Sequence, residues 1–318
     1  MQRLTLAAGL LLVVHLALVA VFNLGKTNSE SGSPSSVFVD FNKEQLTEIH
    51  ITDGQGRKLE LEKKEGMWQL TSSYFAPASQ TRVTELIDKL GALNRGFVVA
   101  TSDSAARRFK VTDSGFERHL QLFQEGDMVA DFYLGTSPGF RQMHARKAAS
   151  HEIIAVSLSA FELEASEASW LNKDILKSKE QDLKQISFHD CTLVKNEEGW
   201  KIDGLPGSGQ ADEEAIGEAI DKVVGLTVVS VADPEEMADQ FSEASIAFTV
   251  SLLKADESEV RLNFAQLAED RFAVKSSEHD NFYLIHKVVF ENLQKISRST
   301  LLLEERSESA GPSEGVPE

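Results

Sequence analysis

The side chains in this 318-residue sequence that could perform nucleophilic chemistry are few, and one short run combines three of them. His189, Asp190 and Cys191 are the residue types of a thiol hydrolase, in which a base activates the cysteine and a third group orients the base. Neighbouring strand residues point to opposite faces of a sheet, so only His189 and Cys191 could share a face. A lone cysteine is more often simply buried, and we therefore predict no catalytic residue in this run.

The eight histidines show no spacing typical of a metal site. His151-Glu152 and His279-Asp280 each fall in a predicted loop between two strands, where a polar turn explains them without a metal. Because Cys191 is the only cysteine, an intramolecular disulfide and a cysteine-based zinc or iron–sulfur site are excluded. We predict no metal site and no cofactor.

A glycine-rich segment, GLPGSG at 204–209, precedes a predicted helix, as phosphate-binding loops do. It lacks the Walker spacing and its lysine, and the helix begins with acidic residues from Asp212 to Glu214, which would repel an anion. We interpret the segment as a flexible turn. We interpret the closely spaced carboxylates as solvated faces rather than acid–base pairs. They are Glu162, Glu164, Glu167, Glu235 and Glu236.

The charge balance excludes one class of partner. Lys and Arg total 32 against 50 Asp and Glu, which gives a formal net charge of −18. Nucleic acid is therefore not expected as a partner, because phosphate binding needs a basic surface, and an anionic lipid surface is disfavoured for the same reason. Several arginines concentrate between residues 95 and 146, an asymmetry that could orient the chain toward a partner but that ordinary surface variation explains more simply.

The amino-terminal segment is predicted to be a membrane anchor. Residues 4–24 form an apolar run of 21 residues without an acidic residue, Lys or Arg, long enough as a helix to span a hydrocarbon layer of about 30 Å. A cleaved signal peptide is the alternative, but its apolar region would be shorter and would end in an Ala-x-Ala-like site. We predict an uncleaved signal anchor at 1–24, with the bulk of the chain outside the cytoplasm.

Small and polar residues at 25–36 predict a flexible tether after the anchor, and the acidic residues at 304–318 predict a disordered tail. Between them, the sequence contains an internal repeat. Both copies begin with three short strands of alternating apolar residues. These residues are Ile49 and Ile51, Leu59 and Leu61, Trp68 and Leu70 in the first copy, and Ile186 and Phe188, Leu193, Trp200 and Ile202 in the second.

A long amphipathic helix follows in each copy, and the two helices lie 133 residues apart. Ile87 corresponds to Ile220, and Ser79 to Asp212, both of which are favourable N-cap residues. This agreement predicts that Asp212 caps a helix and is not catalytic. The element order of each copy is βββ-α-β-(α)-ββββ-α, with Phe161-Glu162 and Phe290-Glu291 at the start of the closing helix.

Runs of strands around one long helix indicate an α+β fold: a tandem duplication of a mainly antiparallel β-sheet unit, preceded by one transmembrane helix. The predicted division of the chain is as follows: anchor 1–24, tether 25–36, first copy 37–165, junction 166–182, second copy 183–303 and tail 304–318.

These motifs resemble the bacterial domain of unknown function 4340 family. The features are the alternating strands with Trp68 and Trp200, the helix after a polar loop, Leu134-Gly135 at the end of a strand, the junction WLNKDIL from Trp170 to Leu176, and the preceding anchor. The resemblance covers roughly residues 37–295. It implies a membrane-anchored extracytoplasmic protein, of a kind often encoded near an ABC-type transport system, and it supplies no catalytic residues.

Three functions follow as hypotheses. We expect a non-enzymatic accessory protein, anchored in the bacterial inner membrane, that contacts partners such as ABC transporter subunits outside the cytoplasm. The alternative is a ligand-binding module that uses the cleft between the two copies, for which Trp68, Trp170 or Trp200 would line the cleft. A hydrolase is the least favoured, because it needs a nucleophile or metal site that the sequence does not display.

Overall fold

A computed structural model describes residues 37–205 and 210–303. The predicted anchor and tether, most of the glycine-rich segment and the acidic tail lie outside these ranges. Within the described ranges no helix is both long and apolar enough to cross a bilayer. The predicted α+β class is confirmed, because mainly antiparallel sheets are combined with a few helices.

The first sheet contains nine described strands in the order β4-β3-β2-β1-β8-β9-β10-β11-β5. Its strands are β1 (Leu46–Asp53), β2 (Lys58–Lys64), β3 (Met67–Leu70), β4 (Ala76–Pro77), β5 (Val98–Ala100), β8 (Arg118–Gln124), β9 (Asp127–Leu134), β10 (Met143–Lys147) and β11 (Ile153–Val156). A small ribbon, β6 (Val111–Thr112) with β7 (Gly115–Phe116), lies beside it. The pairs of the first sheet are all antiparallel.

The second sheet has the order β14-β13-β12-β16-β17-β18-β19-β15 over its described strands. They are β12 (Leu183–Ser187), β13 (Thr192–Asn196), β14 (Gly199–Ile202), β15 (Ser230–Val231), β16 (Ile246–Lys254), β17 (Glu259–Ala268), β18 (Arg271–Ser276) and β19 (Phe282–Ile285). Every strand of the second sheet has a counterpart at the same place in the order of the first sheet, and the counterparts follow one another along the chain in the same sequence. Only β4 of the first sheet has no counterpart among the described strands of the second.

The α-helices of the described ranges are α1 (Gln80–Gly91), α2 (Asp103–Arg108), α3 (Glu167–Trp170), α4 (Glu213–Val224), α5 (Pro234–Gln240) and α6 (Lys287–Gln294). Short 3-10 turns span Thr71–Ser73, Ala160–Leu163, Glu180–Asp182, Glu243–Ser245 and Ser299–Leu301.

The two long helices begin as predicted. Ser79 Oγ accepts a hydrogen bond from Arg82 N at 3.4 Å, and Asp212 Oδ1 accepts from the amides of Glu214 and Ala215. These bonds satisfy amides that have no partner inside the helix. Ile87 and Ile220 are buried on the inner faces of α1 and α4, so both helices cover the core.

The strands are held together by the alternation seen in the sequence. Ile49 lies opposite Leu61 and Ile51 opposite Leu59 across β1 and β2, and all four side chains are fully buried. A shift by one residue would move every one of them to the other face of the sheet. The pattern therefore specifies the register as well as the strands.

The closing segment of each sheet unit pairs with the residues that precede its long helix. Ala78 forms a bridge with Leu171, and Ser79 N donates to Trp170 O at 2.7 Å. In the second unit Ala211 forms a bridge with Leu302, and Asp212 N donates to Leu301 O at 2.9 Å. Trp170, a buried residue of the predicted junction, thus packs as part of the first unit, at the place that Leu301 takes in the second.

Two equivalences expected from the repeat differ in the structure. Trp68 is buried, whereas Trp200 is partly exposed and its indole N–H donates to Glu180. Gln80 also binds the amide and the carbonyl of Trp68 and joins β3 to α1, whereas Glu213 stands at the corresponding position of α4. Phe161 is 70% exposed, whereas Phe290 is 2% exposed, because the first copy has a single 3-10 turn where the second has α6.

Gly135 explains one of the motifs noted in the sequence. The residue follows β9, and a Cβ atom built on it would lie 1.9 Å from Phe109 O and 2.3 Å from Lys110 O. Both contacts are to backbone, so no side-chain rotation can relieve them. Gly217 is the opposite case, because it lies on the exposed face of α4 with no atom within 4 Å of an added Cβ.

We therefore expect two glycine-to-alanine substitutions to have opposite effects. Gly135→Ala should lower the free energy of unfolding by about 1–3 kcal/mol, as overpacking does. Gly217→Ala should raise it by roughly 0.5–1 kcal/mol, because alanine favours the helix. Urea denaturation followed by tryptophan fluorescence measures both. Equal effects of the two variants would contradict the close approach at Gly135.

Asp53 closes the turn between β1 and β2 with a buried carboxylate. It accepts hydrogen bonds from the amides of Gln55 and Arg57, each at 2.9 Å, and from the Arg57 guanidinium at 2.7 Å. Burial raises the pKa of Asp53, but the hydrogen bonds from the Arg57 side chain and from the two amides outweigh it, and the pKa lies below the ordinary 3.8. The folded state therefore favours the ionised carboxylate.

Asp53→Asn should cost about 1–2 kcal/mol of stability at neutral pH, because a charged hydrogen-bond acceptor is lost. A carboxylate whose pKa is lower in the folded than in the unfolded state stabilises the fold at every pH above the unfolded-state pKa. This stabilisation is lost as the pH falls through the folded-state pKa. The difference between wild type and variant should be constant above about pH 5 and should shrink as pH falls below about 4. Urea titrations at several pH values test this, and a difference independent of pH would overturn the assignment.

Candidate functional site

A groove lies beside α1 on the first sheet unit. Its volume is about 490 Å³, and its walls are α1 on one side and the 3-10 turn Ala160–Leu163 on the other. The side chains that line it include Arg82, Leu86, Lys89, Phe161 and Trp170. An exposed aromatic ring thus stands over a groove with a buried indole at its base.

The groove is present because the closing turn of the first unit is short. Ser159 and Glu162 form a reciprocal capping box that starts the turn, but Glu164 is already extended. The Glu164 carbonyl accepts a hydrogen bond from Trp170 Nε1 at 2.7 Å, and its carboxylate accepts from Ser169 Oγ at 2.5 Å. The chain is therefore drawn toward Trp170 after one turn instead of continuing as a helix along α1.

In the second unit a helix occupies the corresponding place. There α6 follows β19 directly, has eight residues and packs against both α4 and β18. Phe290 of α6 contacts Phe248 and Phe272 of the second sheet, with ring centroids 5.1 and 4.7 Å apart. In the first unit the shorter 3-10 turn Ala160–Leu163 stands at the corresponding place.

Arg82 is the most distinctive polar residue of the groove. Its guanidinium carbon lies 4.6 Å from the centroid of the Trp170 ring and 5.9 Å from that of Phe161, and Nη2 donates to Phe161 O at 3.4 Å. Cation–π contacts of this kind hold the guanidinium flat against the aromatic rings. At the equivalent position of α4, 133 residues on, the chain has Ala215. The arginine is thus a feature of the first unit alone.

The other charges of the groove are partly neutralised. Lys89 forms an ion pair with Glu162, and Ser79 Oγ is occupied as the cap of α1. The lining therefore offers the exposed ring of Phe161 above the buried side chains of Leu86 and Trp170, rimmed by charged groups and without a nucleophile held by a base. This arrangement suits binding of an amphipathic segment, whose apolar face would cover the exposed ring of Phe161.

The structure separates the three tryptophans. Trp170 lines the groove, Trp68 is in the core of the first unit, and Trp200 borders a different cavity beside α4. A cavity of about 490 Å³ does lie between the two units, where Arg57, Ser73 and Glu167 face Ser230 and Val231, but none of the tryptophans lines it. The aromatic cleft imagined from the sequence is therefore not formed by these residues.

The histidines and Cys191 do not converge. His189 is exposed at the turn that precedes β13, while Cys191 is buried, and Asp190 accepts hydrogen bonds from the amide of Arg298. Burial, followed by the charge of Asp190, raises the pKa of the Cys191 thiol to about 11. At neutral pH the thiol is therefore protonated and is a poor nucleophile.

The two histidine–acid pairs also lie in different surroundings. The side chain of His151 is exposed, 3.7 Å from Asp103, while the carbonyl of His279 accepts a hydrogen bond from Lys275. Over residues 37–205 and 210–303, no three His, Cys, Asp or Glu side chains lie close enough to hold a metal ion together.

Several carboxylates interpreted as solvated have structural partners instead. Glu162 caps its turn and pairs with Lys89, Glu164 accepts from Ser169, and Glu167 accepts from Ser73. Glu236 binds Arg271 through both of its oxygens. The bonds of Glu162 to Lys89, Glu167 to Ser73 and Glu236 to Arg271 join segments far apart in the sequence, so sequence spacing could not reveal them.

Sequence reasoning did not single out Arg82 or the exposure of Phe161. The available signal was local: the pattern Ser159-x-x-Glu162 marks a helix start, and the repeat places Arg82 where the second copy has an alanine. The missing second turn of the helix becomes visible only when Trp170 is seen to bind Glu164.

Cys191 should resist alkylation in the folded protein. With a pKa of about 11, roughly one thiol in a thousand is ionised at pH 8, and burial blocks the reagent. We expect iodoacetamide to label the native chain very slowly at pH 8 and to label it fully in urea, as measured by mass spectrometry. A cysteine at the exposed position Met128 (Met128→Cys) is the matched control and should react at once. Rapid native labelling at Cys191 would contradict this assignment and would restore the hydrolase hypothesis.

Comparison with known proteins identifies the family. No curated protein and no solved structure matches the chain. The family model described as Domain of unknown function (DUF4340) matches residues 68–244, which run from β3 of the first sheet unit to α5 and the 3-10 turn after it in the second. The match is shorter than the 37–295 expected from the motifs, but it covers more than half of the chain, and the protein belongs to the DUF4340 family.

Proposed function

We propose that this protein is a non-enzymatic adaptor, anchored in the bacterial inner membrane by residues 4–24, that presents its folded body to partners on the extracytoplasmic side. The anchor and its orientation rest on the apolar run of 21 residues in the sequence. The partner class, subunits of an ABC-type transport system, rests on what the family resemblance implies.

The groove beside α1 is the observation that carries the adaptor role. In the second unit α6 of this chain packs against α4, and this packing supports a helix as the ligand for the groove of the first unit. We propose that an amphipathic helix of a partner binds there, with apolar residues against Phe161 and an acidic residue near Arg82.

A tandem duplication accounts for two similar units of which only the first has the groove. The matching strand orders and the two long helices 133 residues apart support an origin of the body by tandem duplication. The second unit now has a closing helix that completes its own surface, and the first has a short turn and an accessible groove. In this proposal the second unit supports the fold and the first unit binds.

A second candidate function is binding of a small polar ligand between the two units. The cavity there is supported by its volume of about 490 Å³ and by its polar lining, which includes Arg57, Ser73, Glu167 and Ser230. Glu167 and Ser73 already bind each other, however, so a ligand would have to compete with that hydrogen bond.

Site-specific photocrosslinking tests the adaptor proposal. A benzophenone amino acid at Phe161 in the tagged full-length chain is irradiated in native membranes, and the adducts are purified in mild detergent. We expect ABC transporter subunits at near-stoichiometric recovery. The matched control carries the same photoprobe at Val288, which is exposed to a similar degree on the closing helix of the second unit and should give little adduct.

Charge reversal in the groove provides the second arm. Arg82→Glu should reduce recovery of the transporter subunits about tenfold or more, since a charged pair within an interface is broken and a like charge introduced. Ala215→Glu, at the equivalent position of α4, should leave recovery unchanged. Equal recovery with both variants, or adducts at Val288 as abundant as at Phe161, would sink the groove as the binding site. Recovery of the protein without transporter subunits would shift the weight to the cavity between the units.

A further inference from the structure

One end of the first sheet carries apolar side chains that the fold leaves uncovered. Phe97 is 83% exposed and Phe140 is 89% exposed, and Val98 and Val99 are also exposed. We call these four residues the edge patch. Such a group of large apolar side chains on a protein surface marks a site of contact with another apolar body.

The register of the strands brings the members of the edge patch to one end of the sheet. β5 is the edge strand of the first sheet in the described ranges, and its Val98 lies opposite Ile154 of β11. Val156, at the end of β11, lies opposite Met143 at the start of β10. Phe140 precedes β10 and Phe97 precedes β5, so both project where β11 ends, across a width of about 10 Å for two strand spacings.

Phe140 is held outward by a tight turn. Gln142 N donates to Gly139 O at 3.3 Å, which leaves Phe140 and Arg141 as the two central residues of the turn. The Arg141 guanidinium carbon lies 5.3 Å from the centroid of the Phe140 ring. The turn thus presents an aromatic ring and a positive charge together.

The chain that leads to the predicted anchor enters beside the edge patch. Val37, the first described residue, forms a bridge with Asn94, and Phe38 N donates to Leu93 O at 2.6 Å. Asn94 is three residues from Phe97, a distance of at most about 10 Å along the chain. Twelve residues, 25–36, separate Val37 from the apolar run, and a chain of that length can span at most about 40 Å. An anchor at 4–24 would therefore hold this end of the sheet near the bilayer.

The local charge agrees with a lipid surface although the net charge does not. Among 50 acidic residues in the chain, none falls in 89–102 or in 132–151, the two stretches that carry the edge patch. The same stretches contain five basic residues: Lys89, Arg95, Arg141, Arg146 and Lys147. Glu152 borders the second stretch, and its charge is balanced by Arg95 at 2.6 Å, so Arg141 is the basic residue that the edge patch itself presents.

We infer that the edge patch is a membrane-contact surface, in which Phe97 and Phe140 enter the interface of the bilayer that holds the anchor while Arg141 binds anionic headgroups. Aromatic and basic side chains together are the composition that favours this depth of a bilayer. The inference rests on the proposed anchoring. It adds an orientation, because the groove beside α1 would be held at a set height above the membrane.

Lipid-borne quenching tests the contact on the full-length protein. An environment-sensitive fluorophore is attached to Phe97→Cys or Phe140→Cys, and the chain is reconstituted into vesicles of phosphatidylcholine with or without phosphatidylglycerol. Cys191 can remain if it resists labelling as expected above. The control is Met128→Cys, because Met128 is 52% exposed near the opposite end of the same sheet.

We expect spin-labelled lipid to quench the fluorophore at positions 97 and 140 several-fold more than at 128, with a further increase when phosphatidylglycerol is present. Arg141→Glu should remove the increase that depends on phosphatidylglycerol. Equal quenching at all three positions would overturn the inference. The inference would also be overturned if the fluorophore emission shifted to the blue as more protein was added per vesicle while spin-labelled lipid did not quench it. A second copy of the chain would then cover the edge patch. If the protein can be washed from the vesicles with carbonate, the anchoring proposal fails instead, and the two failures are thereby distinguished.

Discussion

The backbone pairing between each closing segment and the start of its long helix is the constraint on which the rest of this structure depends. In the first unit Ser79 binds Trp170, and in the second Asp212 binds Leu301. Each pairing fixes where the chain must arrive after the last strand of its sheet. The connection between strand and pairing site then decides what covers the face of the helix. A two-turn helix covers it in the second unit, and a single turn leaves a groove in the first.

Trp170 has a second role, because its indole N–H donates a hydrogen bond to the carbonyl of Glu164. In a continuing helix that carbonyl would accept a backbone amide instead. Its ring also forms the base on which Arg82 rests. One residue therefore ends the turn, closes the first unit and shapes the groove. Two residues after Leu171, the carbonyl of Lys173 accepts a hydrogen bond from the amide of Val228. A backbone hydrogen bond thus joins the segment that follows the first unit to the second unit.

The proposed functions place different tasks on different faces of the body. The groove beside α1 offers aromatic surface and an arginine to a partner, whereas the edge patch offers aromatic surface and basic residues to lipid. The acid-free stretches at 89–102 and 132–151 carry the edge patch, whereas the groove is lined in part by Glu85 and Glu162. An adaptor held against a membrane needs such a division, because repulsion from anionic headgroups by the whole surface would oppose a fixed orientation.

The sequence by itself determined the alternating strands, the two capped helices and the mainly antiparallel class, because these depend on local spacing and on N-cap chemistry at residues such as Ser79 and Asp212. It also indicated that Cys191 is a buried thiol. Only the tertiary structure decided that Phe161 is exposed while Phe290 is buried, that Trp200 is less buried than Trp68, and that Glu162, Glu164 and Glu236 have partners. The physical reason is that these outcomes depend on which groups meet in the folded chain: Glu162 with Lys89, Trp170 with Glu164, and Arg271 with Glu236. Residue types that look equivalent along the chain acquire different roles once such contacts are made.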